Sequence, residues 1–304
     1  MNIPHIPVLL NETLSLFENM KDDGYFIDCT CGFGGHSEAI LKKFPNIKLI
    51  AIDQDIEALN FAKKRLEPFK DRVEFHHSRA SAILENFKEL PIAGILADIG
   101  VSSYQLDERK RGFNFEGETL DMRMNQNQEF SAKDVVNYYS LNDLEKIFKE
   151  YGEERYYKKI ASKIIERRKE KKFTSSKELA EFIESFIPRK KIHPATQIFQ
   201  AIRIEVNQEL KELEAILDNS LKIAKSGTIL SIITFHSLED RIVKQRFKEW
   251  SRECICPSDA FRCECGGNNA KGKILTKKPI VASKEEILAN TRSRSAKIRA
   301  FLFR

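Results

Sequence analysis

The chain has 304 residues, of which 41% are hydrophobic and 32% charged, and its formal net charge is +6. This composition supplies a hydrophobic core and excludes wholesale disorder, and the apolar runs are too short to cross a bilayer. Six Cys in so long a chain do not make a disulfide scaffold and the first ten residues lack the basic segment of a secretory signal, so we expect a cytoplasmic protein without membrane contact.

Strand and helix signals alternate along the first third of the chain. The predicted elements, in order, are a strand at 24–29, a helix at 37–44, a strand at 48–53, a helix at 56–66, a strand at 72–77, a helix at 81–90 and a strand at 92–99. Nearly continuous apolar strands are typical of parallel strands that helices cover on both faces. The pattern therefore predicts an α/β fold with a mostly parallel sheet.

The alternation stops after the fourth strand. The signal is then that of a loop until residue 128 and helical from 131 to 187, with helix starts at Ser131 and Ser175. A helix at 207–225 and a fifth strand at 228–235 follow, and residues 292–299 are either a last strand or a basic arm. We predict a discontinuous α/β domain, residues 1–106 and 207–304, into which an all-helical domain, residues 107–206, is inserted.

A glycine-rich turn joins the first strand to the first helix, in the segment DCTCGFGGH from Asp28 to His36. Asp53 ends the second strand, where a carboxylate accepts both hydroxyls of an adenosine ribose. Ser37 stands where a dinucleotide-binding fingerprint has its third Gly. This favours an adenosine ligand without phosphates, such as S-adenosylmethionine, over a nicotinamide cofactor. The alternative is that the glycines only make a tight turn.

Two more polar groups end predicted strands. Asp98 closes the wholly apolar fourth strand, and His236 closes the fifth. Ligands of open α/β sheets lie beyond the carboxyl ends of the strands, and burying a carboxylate is costly unless it has partners. Both are therefore candidate catalytic residues, although helix capping explains either position equally well.

Nine segments then resemble one family in the same order along the chain: HIPVLLNE, DCTCGFGGHS, AIDQD, ADIGVSSYQLD, RGFNF, LDMRM, YGEER, HPATQIFQAIRIEVNQEL and FHSLEDRIVK. They look like the RsmH (formerly MraW) family of bacterial 16S rRNA cytosine-N4 methyltransferases. RGFNF, LDMRM and FHSLED are not generic features of nucleotide-binding folds, so the resemblance is specific and covers nearly the whole chain.

The resemblance implies a class I (Rossmann-like) methyltransferase fold with an inserted helical domain that helps to recognise RNA. It implies methyl transfer from S-adenosylmethionine to the N4 amine of one cytidine in the P-site region of 16S rRNA, with the small ribosomal subunit as partner. The oligomeric state stays open. The cofactor contacts it carries over are Gly34, Gly35, His36, Asp53, Asp98 and Gln105. Ala80 stands where relatives often carry Phe, so only a backbone contact to adenine is expected there.

The chemistry of the residues also favours methylation of an amine. The cytosine amine is a poor nucleophile, and an acceptor for its hydrogens assists the attack; Asp98 is the leading candidate. Asp98-Ile-Gly-Val stands in place of the D/N/S-P-P-Y/F motif of DNA amino-methyltransferases, so this assignment is a hypothesis. Methylation at carbon C5 would need a nucleophilic Cys beside the base, and the chain has no Pro-Cys dipeptide.

Aromatic and basic side chains of the insertion are candidate RNA contacts. Phe113 and Phe115 either stack on a base that has left its helix or pack the insertion. Arg111, Arg123 and Arg155 are candidate phosphate contacts, and Asp121 is placed to pair with Arg123. Two stretches, residues 155–191 and 271–304, each carry a net charge of +8. Such clusters suit a polyanionic partner or are solvated helix faces.

Two C-x-C pairs lie near the end of the chain, Cys254 with Cys256 and Cys263 with Cys265. Four thiolates on one loop form a tetrahedral zinc site when they converge. The usual zinc knuckle has C-x-x-C spacing. The alternative is therefore that these are surface thiols or occasional disulfides.

Overall fold

The structure is a computed structural model that describes residues 7–189, 192–257 and 262–304. The first two residues of HIPVLLNE and Lys190 and Lys191 of the first basic stretch lie outside the described residues. The chain forms two compact units, one of residues 1–100 and 211–304 and one of residues 101–210. These bounds lie within six residues of the predicted domain bounds. In the described part of the chain, no helix is long and apolar enough to span a membrane.

All eight strands of the described residues belong to one sheet in the first unit. They are β1 Tyr25–Asp28, β2 Lys48–Asp53, β3 Val73–His77, β4 Ile92–Asp98, β5 Ile229–Thr234, β6 Gly272–Ile274, β7 Ile280–Val281 and β8 Lys297–Phe303. The order is β3-β2-β1-β4-β5-β8-β6, and β7 pairs with β8. β1 to β5 are parallel, and β8 runs antiparallel to β5, β6 and β7. The predicted mostly parallel sheet is confirmed.

Helices connect the strands and also make up the second unit. They are α1 Leu10–Leu16, α2 Gly35–Lys43, α3 Ile56–Arg65, α4 Ala80–Ile83, α5 Ser103–Asp107, α6 Ala132–Tyr138, α7 Leu141–Glu150, α8 Tyr157–Glu170, α9 Ser176–Glu184, α10 Thr196–Asn207, α11 Glu209–Ile223, α12 Ser237–Trp250 and α13 Lys284–Ala289. Helices α5 to α10 belong to the second unit. The helix predicted at 81–90 is instead the short α4 followed by a 3-10 helix, Leu84–Phe87.

Alternate residues of the strands enter two separate cores, one on each face of the sheet. Ile27 and Ile95 face a core that includes Leu213 of α11 and Phe247 of α12. Their neighbours in sequence face the opposite core, which includes Ile40 of α2 and Ala62 of α3. Strands covered on both faces need an apolar residue at every position, which explains the continuous apolar runs of the sequence.

The order of the strands reverses at β1, which lies between β2 and β4. After β1, the chain forms β2 and then β3 on one side of β1, and the later strands β4 and β5 lie on its other side. Connections that leave a sheet in opposite directions open a crevice at the carboxyl ends of the two central strands. The fold therefore places its crevice beside Asp28 and Asp98.

The second unit has a hydrophobic core of its own. Its helices contribute buried residues such as Val135 of α6, Phe148 of α7 and Ile160 of α8. Two helix starts are as predicted: Ser131 and Asp134 form a capping box, and the Ser175 hydroxyl accepts the Glu178 N–H.

Gly94 offers a test of packing at the centre of the sheet, because a Cβ there would lie 2.7 Å from both the Phe26 ring and Met20 Sδ. We expect Gly94→Ala to lower the free energy of unfolding by about 1–3 kcal/mol, as overpacking does in a full core. Urea denaturation measures the change. Leu288→Ala, at a side chain that is 85% exposed, is the control and should change it by less than about 0.5 kcal/mol. An equal effect of both substitutions would contradict the packing described.

Candidate active site

Three carboxylates occupy the carboxyl ends of neighbouring parallel strands. Asp28 ends β1, Asp53 ends β2 and Asp98 ends β4. Each terminates a run of apolar residues that is buried on both faces, so each carboxylate enters a region with little water. Parallel pairing brings all three to one edge of the sheet, as the sequence predicted.

The glycine-rich turn lies between β2 and β4 and is held by main-chain hydrogen bonds. Cys29 N–H donates to Leu96 O at 2.8 Å, and Cys31 N–H donates to Ile52 O at 2.8 Å. Gly32 and Gly34 have φ angles of 52° and 75°, in the left-handed region that glycine adopts without strain. The glycines are therefore required by the path of the chain.

Asp53 fastens this turn to the end of β2. Its Oδ2 accepts the Gly32 N–H at 2.7 Å, and its Oδ1 accepts the Asp55 N–H at 2.8 Å. Burial raises the pKa of Asp53 to about 7, although both hydrogen bonds favour the charged form. The carboxylate thus organises the backbone of the turn in addition to the ligand contact that the sequence predicted.

Asp28 is 1% exposed and lies beneath the turn. Its Oδ2 accepts the Ser37 hydroxyl at 2.6 Å, and its Oδ1 accepts the Thr30 N–H at 3.2 Å. Burial raises the pKa of Asp28 to about 6 in spite of these bonds. Ser37, which replaces the third Gly of a dinucleotide fingerprint, is therefore a partner of this buried acid.

Asp98 has an oxygen that the protein leaves without a hydrogen-bond partner. Among the described residues no donor lies within bonding distance of its buried Oδ1, and its Oδ2 lies 4.0 Å from His36 Nδ1. Its backbone is fixed, because the Asp98 N–H donates to Thr30 Oγ1 at 2.6 Å. Burial, together with the negative charges of Asp28 and Glu239, raises the pKa of Asp98 to about 8.

His36 joins the N-terminal segment to the start of α2. Its Nε2 lies 3.0 Å from the carbonyl oxygen of Val8, and since a carbonyl only accepts, Nε2 carries the proton. Next to it, a Cβ on Gly35 would lie 2.4 Å from Pro7 Cγ. Pro7 and Val8 therefore lie against the beginning of α2, and glycine is required for that close approach.

At the end of β5, His236 precedes α12 and is paired with a buried acid. Glu239 is 0% exposed; its Oε2 accepts the N–H of Phe235 at 2.8 Å and of His236 at 3.2 Å. His236 Nε2 lies 2.9 Å from Glu239 Oε1. As the capping alternative predicts, a helix begins here with Glu239 and Asp240 in its first turn, but its N-cap residue is His236 and not the expected Ser237. A catalytic role of His236 remains a prediction.

The other predicted cofactor contacts have local roles. Ala80 is 3% exposed and packs with Ile52 and Leu84 in the core of the first unit. Gln105 belongs to the second unit, where it forms a capping box with Ser102: each backbone N–H donates to the other side chain, at 3.0 and 3.2 Å. Neither arrangement tests the predicted contact with a cofactor.

Two of the predicted RNA contacts are buried in the second unit, which corrects their interpretation. Arg111 is 2% exposed, and its Nη2 donates to the carbonyl oxygens of Arg123 and Met124 at 3.0 and 3.1 Å. Phe113 is 6% exposed and belongs to the core. A group that folding removes from the surface is not available to a phosphate or a base. We therefore assign both residues to the packing of the insertion.

The remaining predicted RNA contacts are more accessible. Phe115 is partly buried, with its ring stacked on His193 at 4.2 Å. Arg123 is half-buried and pairs with Asp121 at 2.7 Å, as the sequence predicted. Arg155 is exposed at the start of the basic stretch. Contact of any of them with RNA remains a prediction.

The four late cysteines do come together. The Sγ atoms of Cys254, Cys256, Cys263 and Cys265 all lie within 4.8 Å of one another. The convergence that the zinc interpretation required is therefore present, on a loop after α12.

The sequence does not single out Thr30 or Ser37 as hydrogen-bond partners within the site. The Thr30 hydroxyl, two residues after Asp28, accepts the Asp98 N–H of the neighbouring strand β4. From the sequence, Glu239 either faces the cleft after the fifth strand or stands in the first turn of a helix, but nothing local reveals that its side chain is fully buried.

The site as a whole brings together acidic side chains whose raised pKa values leave them partly protonated near neutral pH. Asp28, Asp53 and Asp98 share one edge of the sheet, and Glu239 raises the pKa of Asp98 by its charge. Such a site disfavours a pyrophosphate and favours a ligand with positive charge. A buried acceptor with a spare oxygen is also equipped to receive a proton.

The reversal of strand order at β1, the glycine turn and the strand-ending acids define a class I (Rossmann-like) methyltransferase fold. A family model, described as the MraW methylase family, matches residues 2–304. The chain belongs to this family.

Relatives resemble the chain over its whole length. A protein of Nautilia profundicola named ribosomal RNA small subunit methyltransferase H is 66% identical, over 99% of this chain and 98% of its own. A protein of Wolinella succinogenes with the same name is 59% identical over 100% of both chains. Among solved structures, a putative methyltransferase from Streptococcus mutans in complex with SAH is 10% identical, with a TM-score of 0.47, and covers 99% of this chain and 100% of its own.

The raised pKa of Asp98, about 8 against an ordinary 3.8, predicts a pH-dependent stability. Between these values the folded protein holds a proton that the unfolded chain has released, so the stabilisation is complete at low pH and lost as the pH rises through 8. We expect the free energy of unfolding of the unmodified protein, relative to Asp98→Asn, to fall from about pH 5 to about pH 9, by at most about 1.4 kcal/mol per pH unit. Urea denaturation across this range measures it, and a constant difference would contradict it.

Proposed function

We propose that this protein transfers a methyl group from S-adenosylmethionine to the N4 amine of a cytidine in the P-site region of 16S rRNA. The observation that carries the proposal is the buried Oδ1 of Asp98, an acceptor without a partner in the described residues at the point where the strand order reverses. The names of the relatives support the small-subunit RNA as substrate. Because that RNA is assembled into subunits in the cytoplasm, we place the reaction there.

The residues at the carboxyl edge fit the cofactor. Gly34 and Gly35 lie against Ala62 and Pro7, but a Cβ on Gly32 would meet only Thr30 O, at 3.9 Å, which leaves room for a ligand to approach the turn there. Asp53 is placed to receive ribose hydroxyls, and the acid-rich surroundings suit a cation. When bound, S-adenosylmethionine supplies a methyl group that its sulfonium has already activated. The protein therefore needs no covalent nucleophile and has mainly to orient the amine.

Asp98 has the position and the protonation behaviour of a proton acceptor. As the amine nitrogen bonds to the methyl carbon and the carbon–sulfur bond breaks, one N–H proton has to leave, and the Asp98 carboxylate takes it. A pKa of about 8 makes this group a much stronger base than an ordinary Asp while leaving part of it ionised near neutral pH.

The cysteines beside the turn argue against methylation at carbon. Cys29 and Cys31 are 3% and 5% exposed, and burial and nearby acids raise the pKa of both thiols well above the usual value. C5 methylation requires a thiolate that reaches the base. Buried, protonated thiols do not meet that requirement, so the geometry favours the amine.

The second unit offers an exposed basic and aromatic surface for RNA. Residues 155–172 carry nine Lys and Arg, and Tyr138 is 58% exposed. Lys172 Nζ lies 4.4 Å from the centroid of the Tyr138 ring. A cation beside an exposed ring is typical of surfaces that bind a phosphate and stack a base. We propose that this surface, with Arg155, contacts the RNA.

Asp53 provides the test of cofactor binding. We expect Asp53→Ala to weaken binding of S-adenosylmethionine at least about tenfold, because the substitution removes the acceptor of the ribose hydroxyls and releases the Gly32 turn. Isothermal titration calorimetry measures it. Asp71→Ala, at an exposed position just before β3 and so at the opposite edge of the sheet, is the matched control. Unchanged affinity in Asp53→Ala would contradict the proposed cofactor site.

The function itself is tested with small ribosomal subunits that lack the modification and cofactor labelled in its methyl group. Nucleoside analysis should find the label in N4-methylcytidine. At saturating cofactor, we expect Asp98→Asn to lower the single-turnover rate at least about 100-fold, the usual range for loss of a general base.

Asp71→Asn is the control for this experiment and should methylate at the normal rate. Label only in 5-methylcytidine, or only in protein, would overturn the proposed reaction. A normal rate in Asp98→Asn would instead leave the reaction intact and exclude Asp98 as the acceptor.

A further inference from the structure

Four thiols converge on the loop that connects α12 to β6, in the first unit. Cys254 Sγ lies 3.6 Å from Cys263 Sγ and 3.7 Å from Cys265 Sγ. Cys263 Sγ lies 3.6 Å from Cys265 Sγ, and Cys256 Sγ lies within 4.8 Å of all three. The two pairs are separated by six residues of sequence, so their meeting is a property of the folded loop.

These separations are those of a tetrahedral tetrathiolate site. Zinc–sulfur bonds of about 2.3 Å place the sulfur atoms of a regular tetrahedron about 3.8 Å apart. Sulfur atoms in a disulfide lie about 2.05 Å apart, so none of the measured pairs is a disulfide. Cys254, Cys263 and Cys265 already have this spacing, and Cys256 Sγ, within 4.8 Å of each of them, is close enough to complete the set of four ligands.

Backbone N–H groups point at the sulfur atoms. Ile255 N–H donates to Cys265 Sγ at 3.4 Å, and Glu264 N–H donates to Cys256 Sγ at 3.3 Å. Gly266 and Gly267, with φ angles of 77° and 68°, turn the chain directly after Cys265. Hydrogen bonds from the backbone stabilise thiolates, which are the metal-binding form of Cys.

Hydrophobic burial does not hold this loop. Among the described residues 251–257 and 262–270, Ala270 is the only buried one, and Ile255 is 62% exposed. Ordering each residue costs about 1–2 kcal/mol of backbone entropy, which a loop without a core has to offset in another way. A bound metal ion contributes that free energy in small coreless segments.

Hydrogen bonds and an ion pair connect Glu253, at the start of the cysteine loop, to Asn269 near its end and to Arg304. Asn269 donates to the Glu253 carbonyl through both its N–H and its Nδ2, at 3.1 Å each, and its Nδ2 donates to Cys265 O at 3.2 Å. Arg304, the residue after β8, pairs with Glu253 at 3.3 Å. The loop is thereby attached to the C-terminal end of the chain.

We propose that Cys254, Cys256, Cys263 and Cys265 bind one structural zinc ion, which orders the loop between α12 and β6. On binding, each thiol loses its proton to solvent and the four thiolates coordinate the Zn²⁺. Four protein ligands leave no open position, as in structural rather than catalytic zinc sites. The ion has no part in methyl transfer.

Metal analysis of protein purified without a tag and without chelators tests the site. We expect about one zinc per chain in the unmodified protein, and near zero in the double variant Cys256→Ser/Cys263→Ser, which removes one ligand from each pair. Cys29→Ala, at a buried cysteine outside the cluster, is the matched control and should keep its zinc. A zinc content near zero in the unmodified protein that addition of zinc does not raise, or full zinc in the double variant, would overturn the proposal.

Cobalt substitution uses the unmodified protein and therefore tests the site even if the double variant does not fold. After removal of zinc, the unmodified protein should bind one Co²⁺ and show the visible bands and near-ultraviolet thiolate charge transfer of a tetrahedral sulfur site. Addition of zinc should displace the Co²⁺ and abolish these bands. Limited proteolysis should cut the 251–271 loop faster in the metal-free protein. A cobalt complex without the thiolate bands, or equal cleavage with and without metal, would overturn the proposal.

Discussion

The burial of three carboxylates at one edge of the sheet, complete for Asp28 and partial for Asp53 and Asp98, is the constraint on which the site depends. Asp28, Asp53 and Asp98 lose much of their hydration when the apolar strands that carry them are covered on both faces. Each pKa rises as a consequence, and the negative charge of Asp28 raises the pKa of Asp53 and of Asp98 further. Such an arrangement is stable only where hydrogen bonds compensate, and the glycine-rich turn supplies two of the four, from the N–H groups of Thr30 and Gly32.

The three carboxylates differ in how many of their oxygens accept hydrogen bonds. This difference is the basis on which we propose a structural role for two of them and a chemical role for the third. Asp28 and Asp53 have both oxygens bonded, to Ser37, Thr30, Gly32 and Asp55. Asp98 keeps one buried oxygen without a partner in the described residues. An unsatisfied buried oxygen costs about 1–3 kcal/mol, and in the reaction that we propose this cost is offset when the group receives a proton.

Two corrections in the insertion have a common physical cause. Arg111 and Phe113 stand in a stretch rich in Gly, Asn and charge, which favours an exposed loop in contact with RNA. In the structure that stretch folds back on itself, so that Arg111 satisfies two carbonyl oxygens and Phe113 enters the core. A loop without regular secondary structure has to satisfy its backbone polar groups, and a buried guanidinium does so with several donors at once.

The sequence by itself determined the α/β class, the four strands β1 to β4 within one or two residues, and the alignment of Asp28, Asp53 and Asp98 at strand ends. These follow from local patterns, because the period of apolar residues and the chemistry of a turn act over a few neighbours. The last strand is different: residues 292–299 were compatible with a strand or an arm. In the structure a 3-10 helix, Thr291–Ser295, takes up the first half of that segment, and the strand that pairs with β5 is Lys297–Phe303. Tertiary structure alone likewise decided which carboxylate keeps an oxygen without a partner among the described residues and that the Glu239 side chain is fully buried. Both depend on contacts between residues far apart in the chain, which no local pattern records. The spacing of the four late cysteines allowed them to converge, and only the folded path of their loop decided that they do.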